Sequence, residues 1–250
     1  MKILTWNDIL TFLNTGIENP FFEVGTGISI GSFDGLHLGH RKLIESLVDN
    51  CKKKQLLPGV ITFKRPLPSI KHYQDYQGDI STLQQRLDLL EQLGVEFVIV
   101  VDFDDTFASI LGTDFLNILV NSCNMQFIAE GVDFRFGYKG ATDVAAIKYY
   151  CEQHHIGFSF VDQLIFKPGS EEEQRVSSSH IRQLIFKGFF ATVEELLNRP
   201  YSIDLTKKDI LQVIPPDGVY YCKTENNREV KVQIKKRKIS TSVNCNFIYF

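Results

Sequence analysis

The chain has 250 residues, of which 44% are hydrophobic and 12% aromatic, enough for one ordinary domain, a small second one and a substantial core. Its formal net charge of −3 provides no general basic field for nucleic acid, so any phosphate binding depends on local groups. The five cysteines form no C-x-x-C pair and no zinc spacing, which favours reduced thiols. No signal peptide or membrane span is evident. We therefore expect a cytoplasmic protein with no nucleic-acid and no membrane partner.

Hydrophobic periodicity predicts alternating helices and strands over about the first 200 residues. A short helix is expected from a cap near Thr5. Strands are expected at 27–31, 59–63, 97–101, 127–129 and 157–161. Further helices are expected at 38–54, from Ser81-Thr82 to Gly94, from Thr113 through Leu119, at 143–154, and from about 177 to Gly188. Such alternation indicates an α/β fold with a parallel sheet. Within residues 202–250, Val230, Val232 and Ile234 alternate with outward-facing residues that include lysines, which predicts a small β appendage.

Residues 31–40, GSFDGLHLGH, lie between the 27–31 strand and the helix that follows it. At such a strand-to-helix turn the first backbone N–H groups of the helix are free to bind an anion. Gly31, Gly35 and Gly39 would allow a ligand to approach the backbone, or a positive φ. The segment therefore predicts a phosphate site.

His37 and His40 are three residues apart within this segment. If the helix has begun by Leu36, the two imidazoles project from neighbouring turns towards one ligand. Near a polyphosphate each ring can donate hydrogen bonds that strengthen as charge builds in a transition state. Either histidine alone would more often be a cap or a partly buried residue. The pair, with three glycines and Asp34 around it, favours a catalytic role.

A second candidate segment is GVDFRFG at residues 131–137, after a predicted strand. Two phenylalanines, a carboxylate and an arginine at a strand end can stack on a flat ring and reach its polar edge. An isoalloxazine or an adenine would fit. Phe134 alone would more often be a core residue, but four such residues between glycines favour a ligand.

A third segment, VSSSHIR at residues 176–182, begins a predicted helix. Hydroxyl groups and a guanidinium at a helix N-terminus suit a phosphate, which Arg182 can bind through two hydrogen bonds. The serines are equally compatible with an ordinary N-cap.

Together these segments resemble one family. Residues 31–40 are similar to the G-x-F-D-G-x-H-x-G-H signature of the nucleotidyltransferase superfamily, 131–137 to G-x-D-F-x-F-G, and 176–182 to S-S-T-R-I-R. Residues 196–201, LLNRPY, resemble L-L-G-R-P-Y. About the first 200 residues thus look like the adenylyltransferase half of the prokaryotic bifunctional riboflavin kinase/FAD synthetase family.

The resemblance implies a Rossmann-like nucleotidyltransferase domain at 1–201 and a short β-rich remnant of a riboflavin kinase domain at 202–250. It implies transfer of AMP from ATP, with Mg²⁺, to FMN, giving FAD and pyrophosphate. The Mg²⁺ ligands stay unassigned. The implied site residues are catalytic His37, His40 and Arg182; phosphate-binding Gly31, Phe33, Asp34, Gly35, Gly39, Ser177 and Ser178; and flavin-binding Thr62, Asp133, Phe134, Arg135 and Phe136.

The chain also departs from the family pattern. Where the family has T-F-D-P-H-P, residues 62–67 are TFKRPL, and His180 replaces the first arginine of S-S-T-R-I-R. The G-x-P-T-A-N motif of the kinase domain is absent from the 49 residues after Tyr201, so we expect no riboflavin phosphorylation. Two alternatives stay open. One is another phosphorylated acceptor, such as pantetheine phosphate, nicotinate mononucleotide or glycerol phosphate, and the other is a flavin-nucleotide binding protein without turnover.

Overall fold

The computed structural model describes residues 1–15, 19–67, 69, 76–170, 173–207 and 209–250. The chain forms two compact units. The first comprises Met1–Ser32, His40–Leu67 and Leu87–Gln163, and the second comprises Phe33–Gly39, Pro68–Arg86 and Leu164–Phe250. The domain boundary proposed at residue 201 stays a prediction.

The first unit is built on a six-stranded parallel sheet in the order β1-β4-β3-β2-β5-β8. Its strands are mostly buried apolar runs, as expected for a parallel sheet covered on both faces. A short antiparallel pair, β6 and β7, follows β5. The strands are β1 Lys2–Thr5, β2 Thr26–Ile30, β3 Leu57–Phe63, β4 Phe97–Val101, β5 Met125–Gly131, β6 Arg135–Phe136, β7 Thr142–Asp143 and β8 Gly157–Val161. The predicted α/β parallel sheet is confirmed.

The helices predicted from the sequence are present, and two further ones, Asp105–Ala108 and Phe190–Leu197, were not predicted. Their bounds are α1 Trp6–Thr15, α2 Leu38–Lys54, α3 Leu83–Gln92, α4 Asp105–Ala108, α5 Gly112–Cys123, α6 Val144–Gln153, α7 Ser178–Lys187 and α8 Phe190–Leu197. Thr5 caps α1 as predicted, since its Oγ1 accepts the Asp8 N–H at 3.2 Å. The cap predicted at Thr113 is wrong, because Leu111 precedes α5 and provides no side-chain hydrogen bond. The sequence interpretation also missed β1.

In the second unit the C-terminal strands form a five-stranded antiparallel sheet in the order β11-β15-β12-β13-β14. The strands of this unit are β9 Ile165–Phe166, β10 Gln174–Arg175, β11 Ser202–Asp204, β12 Gly218–Thr224, β13 Glu229–Lys235, β14 Lys238–Thr241 and β15 Phe247–Tyr249. On β13, Val230, Val232 and Ile234 are buried while the residues between them are exposed, which confirms the predicted β appendage.

The apolar side chains of this sheet share a core with the two C-terminal helices, through residues such as Ile181, Ile185 and Val193. Burial of one such side chain contributes about 1.5–3 kcal/mol to folding. None of the helices within the described ranges has both the length and the apolar character needed to cross a membrane.

Candidate active site

Three predicted site elements lie at the carboxyl edge of the parallel sheet: Gly31, Thr62 and the aromatic loop, residues 131–137. Gly31 follows β2, Thr62 lies near the end of β3, and the aromatic loop follows β5; β2 is the neighbour of both other strands. The Gly31 N–H donates to the Ile61 carbonyl at 3.0 Å, and the Thr62 hydroxyl donates to the Ser32 carbonyl at 3.2 Å. The strand order reverses between β2 and β5, and ligands of open α/β sheets bind at such a reversal.

The aromatic loop keeps its two rings partly in the core and its two charges outside. The Phe134 and Phe136 rings are stacked, with centroids 5.6 Å apart and an interplanar angle of 12°. Arg135 is exposed and forms an ion pair with Asp143, with Nη2 3.4 Å from Oδ2. Asp133 is exposed as well. The loop therefore offers half-buried rings and exposed polar groups, as a site for a flat heterocycle requires.

Residues 31–40 form a glycine-rich segment. Its central part, Phe33–Gly39, belongs to the second unit and has an unusual backbone. Phe33, Gly35 and Leu36 have positive φ angles of 47°, 76° and 39°. Because left-handed residues do not propagate a right-handed helix, α2 begins only at Leu38. The condition that the helix has begun by Leu36 is not met, whereas the helix predicted at 38–54 is confirmed, and His37 precedes it in an extended conformation. Left-handed non-glycine residues of this kind persist only where surrounding contacts hold them.

Those contacts centre on Asp34, which is 1% exposed. Its carboxylate accepts the backbone N–H groups of Ile80 and Ser81, each at 3.0 Å. The Ser81 hydroxyl in turn accepts the Gly35 N–H at 2.9 Å. A Cβ added at Gly35 would lie 2.7 Å from Ile80 Cγ2, so this position requires glycine for its space as well as for its φ. Residues 80 and 81 thus hold the Asp34-Gly35 turn.

Arg182 forms a buried ion pair with the Asp34 carboxylate. Its Nε donates to the Gly78 carbonyl at 2.9 Å, and its guanidinium lies over the Tyr76 ring at 5.0 Å from the centroid. Burial raises the pKa of the Asp34 carboxyl, while Arg182 and the backbone amides act in the opposite direction. These contacts fix the arginine beside the glycine-rich turn. Its predicted catalytic role stays a prediction.

The two serines at the start of α7 both form hydrogen bonds within the second unit. Ser177 is the N-cap, and its hydroxyl accepts the His180 N–H at 3.2 Å. The Ser178 hydroxyl donates to the Asp34 carbonyl at 2.8 Å. The third segment thus joins the glycine-rich turn through both Ser178 and Arg182. Phosphate binding by the serines stays a prediction.

His37 is buried beside three cations. Burial lowers the pKa of His37 to about 4, and the positive charges of Arg175, Arg199 and Arg182 act in the same direction. The imidazole is therefore neutral at pH 7 in the protein without ligand. A Cβ at Gly39 would lie 3.3 Å from the imidazole ring, which means that glycine leaves room for the ring at this point. Neutral imidazole still donates one N–H to an anion.

The second histidine of the pair belongs to the other unit. His40 is half-buried in the first turn of α2 and is grouped with the first unit, as is Gly31. The joint action of His37 and His40 on one phosphate stays a prediction.

Two arginines near His37 were not singled out by the sequence interpretation. Arg199 donates to the Gly35 carbonyl at 2.6 Å and to the Leu197 carbonyl at 2.9 Å. The LLNRPY segment that contains it was recognised as a resemblance, and this was a signal for its importance. Arg175, on β10, lies in no motif. Both add positive charge where a phosphate is expected.

Metal ligation has no assigned residues. Within the described residues no three His, Cys, Asp or Glu side chains form a group able to hold a metal ion. We assign no metal ligand and derive no step through a metal.

Comparison with known proteins identifies a family. The sequence profile of FAD synthetase matches residues 22–180. A "Bifunctional riboflavin kinase/FMN adenylyltransferase" of Buchnera aphidicola is 29% identical over 191 residues, covering 75% of this chain and 60% of the relative. The protein of the same name from Bacillus subtilis is 30% identical, covering 81% and 68%. A Listeria monocytogenes "FAD synthetase" is 26% identical, covering 82% and 86%. The chain thus spans about 60% of the first relative.

The fold also has a solved counterpart. The crystal structure of a macrolide-efflux protein from Streptococcus pneumoniae superposes with a TM-score of 0.76 at 20% identity, covering 100% of this chain and 90% of that one. At this identity the likeness establishes the fold alone. The FAD synthetase profile, by contrast, covers more than half of the chain, including the glycine-rich segment, the aromatic loop and the serines of α7. The chain belongs to the FAD synthetase family.

Proposed function

We propose that this protein is an FMN adenylyltransferase, which makes FAD and pyrophosphate from FMN and ATP. A phosphate oxygen of FMN attacks the α-phosphorus of ATP in line. The new P–O bond forms as the bond between the α-phosphorus and the α,β-bridging oxygen breaks, and pyrophosphate leaves with that electron pair. The FMN phosphate is already ionised near pH 7, so the step needs no general base.

One observation carries the proposal. The glycine-rich segment, Thr62 and the aromatic loop follow three neighbouring strands at the point where the sheet order reverses. The proposed phosphate-binding segment, which begins at Gly31, and the proposed ring-binding loop thus follow neighbouring strands of the first unit, and this supports a reaction between two nucleotides. Catalysis then consists of positioning and charge stabilisation, without a covalent enzyme intermediate.

The proposed phosphate contacts come from the glycine-rich segment and the start of α7. Neutral His37 donates its N–H to a phosphate oxygen, and His40 provides a second donor. The positive charges of Arg175, Arg182 and Arg199, which lower the pKa of His37, also attract the polyphosphate. The remaining proposed phosphate contacts are Gly31, Phe33, Asp34, Gly35, Gly39, Ser177 and Ser178. Of these, Asp34 acts by holding the turn, since its carboxylate is fully engaged.

The proposed flavin contacts come from the first unit. Thr62 is buried near the end of β3, and residues 133–136 offer two half-buried rings beside an exposed arginine and an exposed carboxylate. The rings pack against the isoalloxazine, and the charged groups bind its polar edge.

The proposal also covers the location of the reaction, its partners and its metal ion. We place it in the cytoplasm, with FMN and ATP as the partners rather than nucleic acid or a membrane. Mg²⁺ enters as the counter-ion of the ATP phosphates and is assigned no protein ligand. Riboflavin itself is not phosphorylated, because residues 202–250 contain a single glycine, Gly218, and lack G-x-P-T-A-N. A glycine-rich phosphate turn cannot be built there in the usual way.

A panel of acceptors tests the proposed substrate. Pyrophosphate release from Mg-ATP would be measured with FMN, pantetheine phosphate, nicotinate mononucleotide and glycerol phosphate at equal concentrations. We expect kcat/KM for FMN to exceed the others by about 100-fold or more, since a site that binds a particular ring strongly rejects acceptors without it. A higher value for another acceptor would overturn the assignment of FMN.

A further inference from the structure

A buried carboxyl group that the proposed reaction does not use, that of Glu130, lies where β2 and β5 cease to pair. The backbone ladder between these strands ends at the pair Ile28 and Ile128, although β2 continues to Ile30 and β5 to Gly131. Both strands stay paired on their other sides, to β3 and β8. The two strands thus separate from each other over their last residues, at the point where the sheet order reverses.

Glu130 bridges this opening. Its Oε1 accepts the Ile30 N–H at 2.6 Å, and the side chain is 1% exposed. The bond joins Ile30, the last residue of β2, to Glu130, the second-to-last residue of β5, in place of the backbone pairing that has ended. Burial raises the pKa of Glu130 well above its ordinary value, while the hydrogen bond from the Ile30 N–H acts in the opposite direction.

The bridge lies next to both proposed ligand segments. Gly31, the first residue of the glycine-rich segment, directly follows Ile30, and Gly131 directly follows Glu130. On the opposite side, the Gly31 N–H donates to the Ile61 carbonyl of β3 at 3.0 Å. Residues 30 and 31 are therefore held by β3 from one side and by Glu130 from the other.

A hydrophobic residue would be the ordinary occupant of such a position. A buried carboxyl is costly unless it is hydrogen-bonded, and here its hydrogen bond satisfies a strand N–H that the neighbouring backbone does not reach. The contact thus has a specific geometric effect, which is to set the separation of the ends of β2 and β5.

We propose that Glu130 is a positioning residue for FAD synthesis, fixing the start of the glycine-rich segment relative to the start of the aromatic loop. This inference rests on the proposed function. Glu130 acts through Ile30 and Gly31 and does not touch the substrates. The property that matters is the oxygen that accepts the Ile30 N–H.

Three variants separate this role from simple core packing. Glu130→Gln keeps an oxygen acceptor in a side chain of the same shape, and Glu130→Leu removes the acceptor. Ser29→Ala is the matched control. Ser29 precedes Ile30 on β2, is buried, and its hydroxyl has no hydrogen-bond partner within the described residues. Circular dichroism would verify folding, and two readouts would follow: amide hydrogen exchange of Ile30 by NMR, and kcat and KM for FMN and ATP.

We expect the Leu variant to lose at least tenfold protection at the Ile30 amide and at least tenfold in kcat/KM, since small displacements of positioned groups are costly. Glu130→Gln and Ser29→Ala should stay within about threefold of the parent protein, because each keeps the Ile30 hydrogen bond. Unchanged exchange and turnover in Glu130→Leu would overturn the proposal, as would a Gln variant impaired as strongly as the Leu variant. If Glu130→Leu does not fold, the Gln variant and the same exchange measurement on Glu130→Met decide.

The hydrogen-exchange measurement on the Ile30 amide does not depend on whether the protein makes FAD. If the parent protein makes no FAD, the proposed function fails, whereas the Ile30 amide still reports whether Glu130 holds the strand end. If FAD is made but the Ile30 amide does not respond to loss of the acceptor, the positioning role fails by itself.

Discussion

Asp34 shows how one residue of a recognised motif can be mainly structural. Its position between Phe33 and Gly35 suggests contact with a phosphate, yet its carboxylate is 1% exposed and binds Arg182 and two backbone amides. Its effect on chemistry is therefore exerted through the turn that it holds. His37 follows the same turn, and because burial lowers its pKa to about 4, its imidazole is neutral at pH 7.

His37→Asn should lower kcat/KM for FAD formation by roughly two to three orders of magnitude, as expected for loss of a donor to developing charge. His155→Asn is the control, because His155 is exposed and has a positive φ that asparagine tolerates. Steady-state kinetics would be combined with circular dichroism. Near-normal turnover of a folded His37 variant would remove this residue from the mechanism.

The lowered pKa of His37 also predicts a pH dependence of stability. Between the folded value of about 4 and the ordinary value of 6.5, the unfolded chain binds the proton that the folded protein excludes. The contribution of His37 to stability is therefore greatest above pH 6.5 and falls as the pH drops towards 4, by roughly 3 kcal/mol at most.

Urea unfolding of the parent protein and of His37→Asn between pH 4.5 and 7.5 measures this contribution. The difference in free energy of unfolding should change with pH in the predicted sense, with the parent losing more stability on acidification. Parallel curves would show that His37 has an ordinary pKa.

The buried pair of Asp34 and Arg182 predicts strong energetic coupling. Asp34→Asn leaves the Arg182 charge buried without its partner and should cost about 3–5 kcal/mol in the free energy of unfolding. Adding Arg182→Met should cost at least 1 kcal/mol less than the sum of the single changes.

The exposed pair of Arg41 and Glu45, with N and O 2.9 Å apart, is the control, and Glu45→Gln should change stability by less than about 0.5 kcal/mol. Denaturant titration of all variants provides the comparison. Additive effects at Asp34 and Arg182 would contradict the coupling.

At the scale of elements, the sequence predicts what depends on local periodicity. The five strands expected in the first 200 residues are present, because each is an apolar run with flanking turn residues. β1 was missed because its four residues merge with the start of α1. The bounds of α2 agree with the predicted 38–54, whereas the left-handed backbone at Phe33 and Leu36 before it was not predicted. Asp34 is bound by Ile80 and Ser81, 46 and 47 residues away, and no local pattern reports a contact of that range.

Ser81 and Thr82 provide a test at the scale of elements, because the hydroxyl groups of these neighbours accept hydrogen bonds from different segments. The Thr82 hydroxyl accepts the Gln85 N–H at 3.3 Å and caps α3, so Thr82→Ala should cost about 1 kcal/mol in stability and leave kinetics unchanged. The Ser81 hydroxyl accepts the Gly35 N–H at 2.9 Å. Ser81→Ala should therefore lower kcat/KM by about tenfold by loosening the glycine-rich turn. Thermal unfolding and steady-state kinetics measure both effects, and equal kinetic losses in the two variants would contradict this division.

At the scale of the whole molecule, the sequence predicts the parallel sheet and the β appendage but not the composition of the two units. The chain enters the second unit at Phe33 and returns to the first at His40, so a single motif is divided between them. The sequence interpretation assigned the whole motif to one domain because contiguous residues provide no sign of such a division. The site residues stay predictions, supported by the meeting of three strand ends and by the family.

The most direct test of the account is the balance of products from the purified 250-residue protein. With FMN, ATP and Mg²⁺, chromatography of the flavins and an assay of pyrophosphate should show FAD and pyrophosphate formed in equal amounts, and with riboflavin in place of FMN they should show neither FMN nor FAD. FMN binding without pyrophosphate release would contradict the proposed catalysis and indicate a flavin-nucleotide binding protein. Conversion of riboflavin at a rate comparable to FAD formation would contradict the assignment of a single activity.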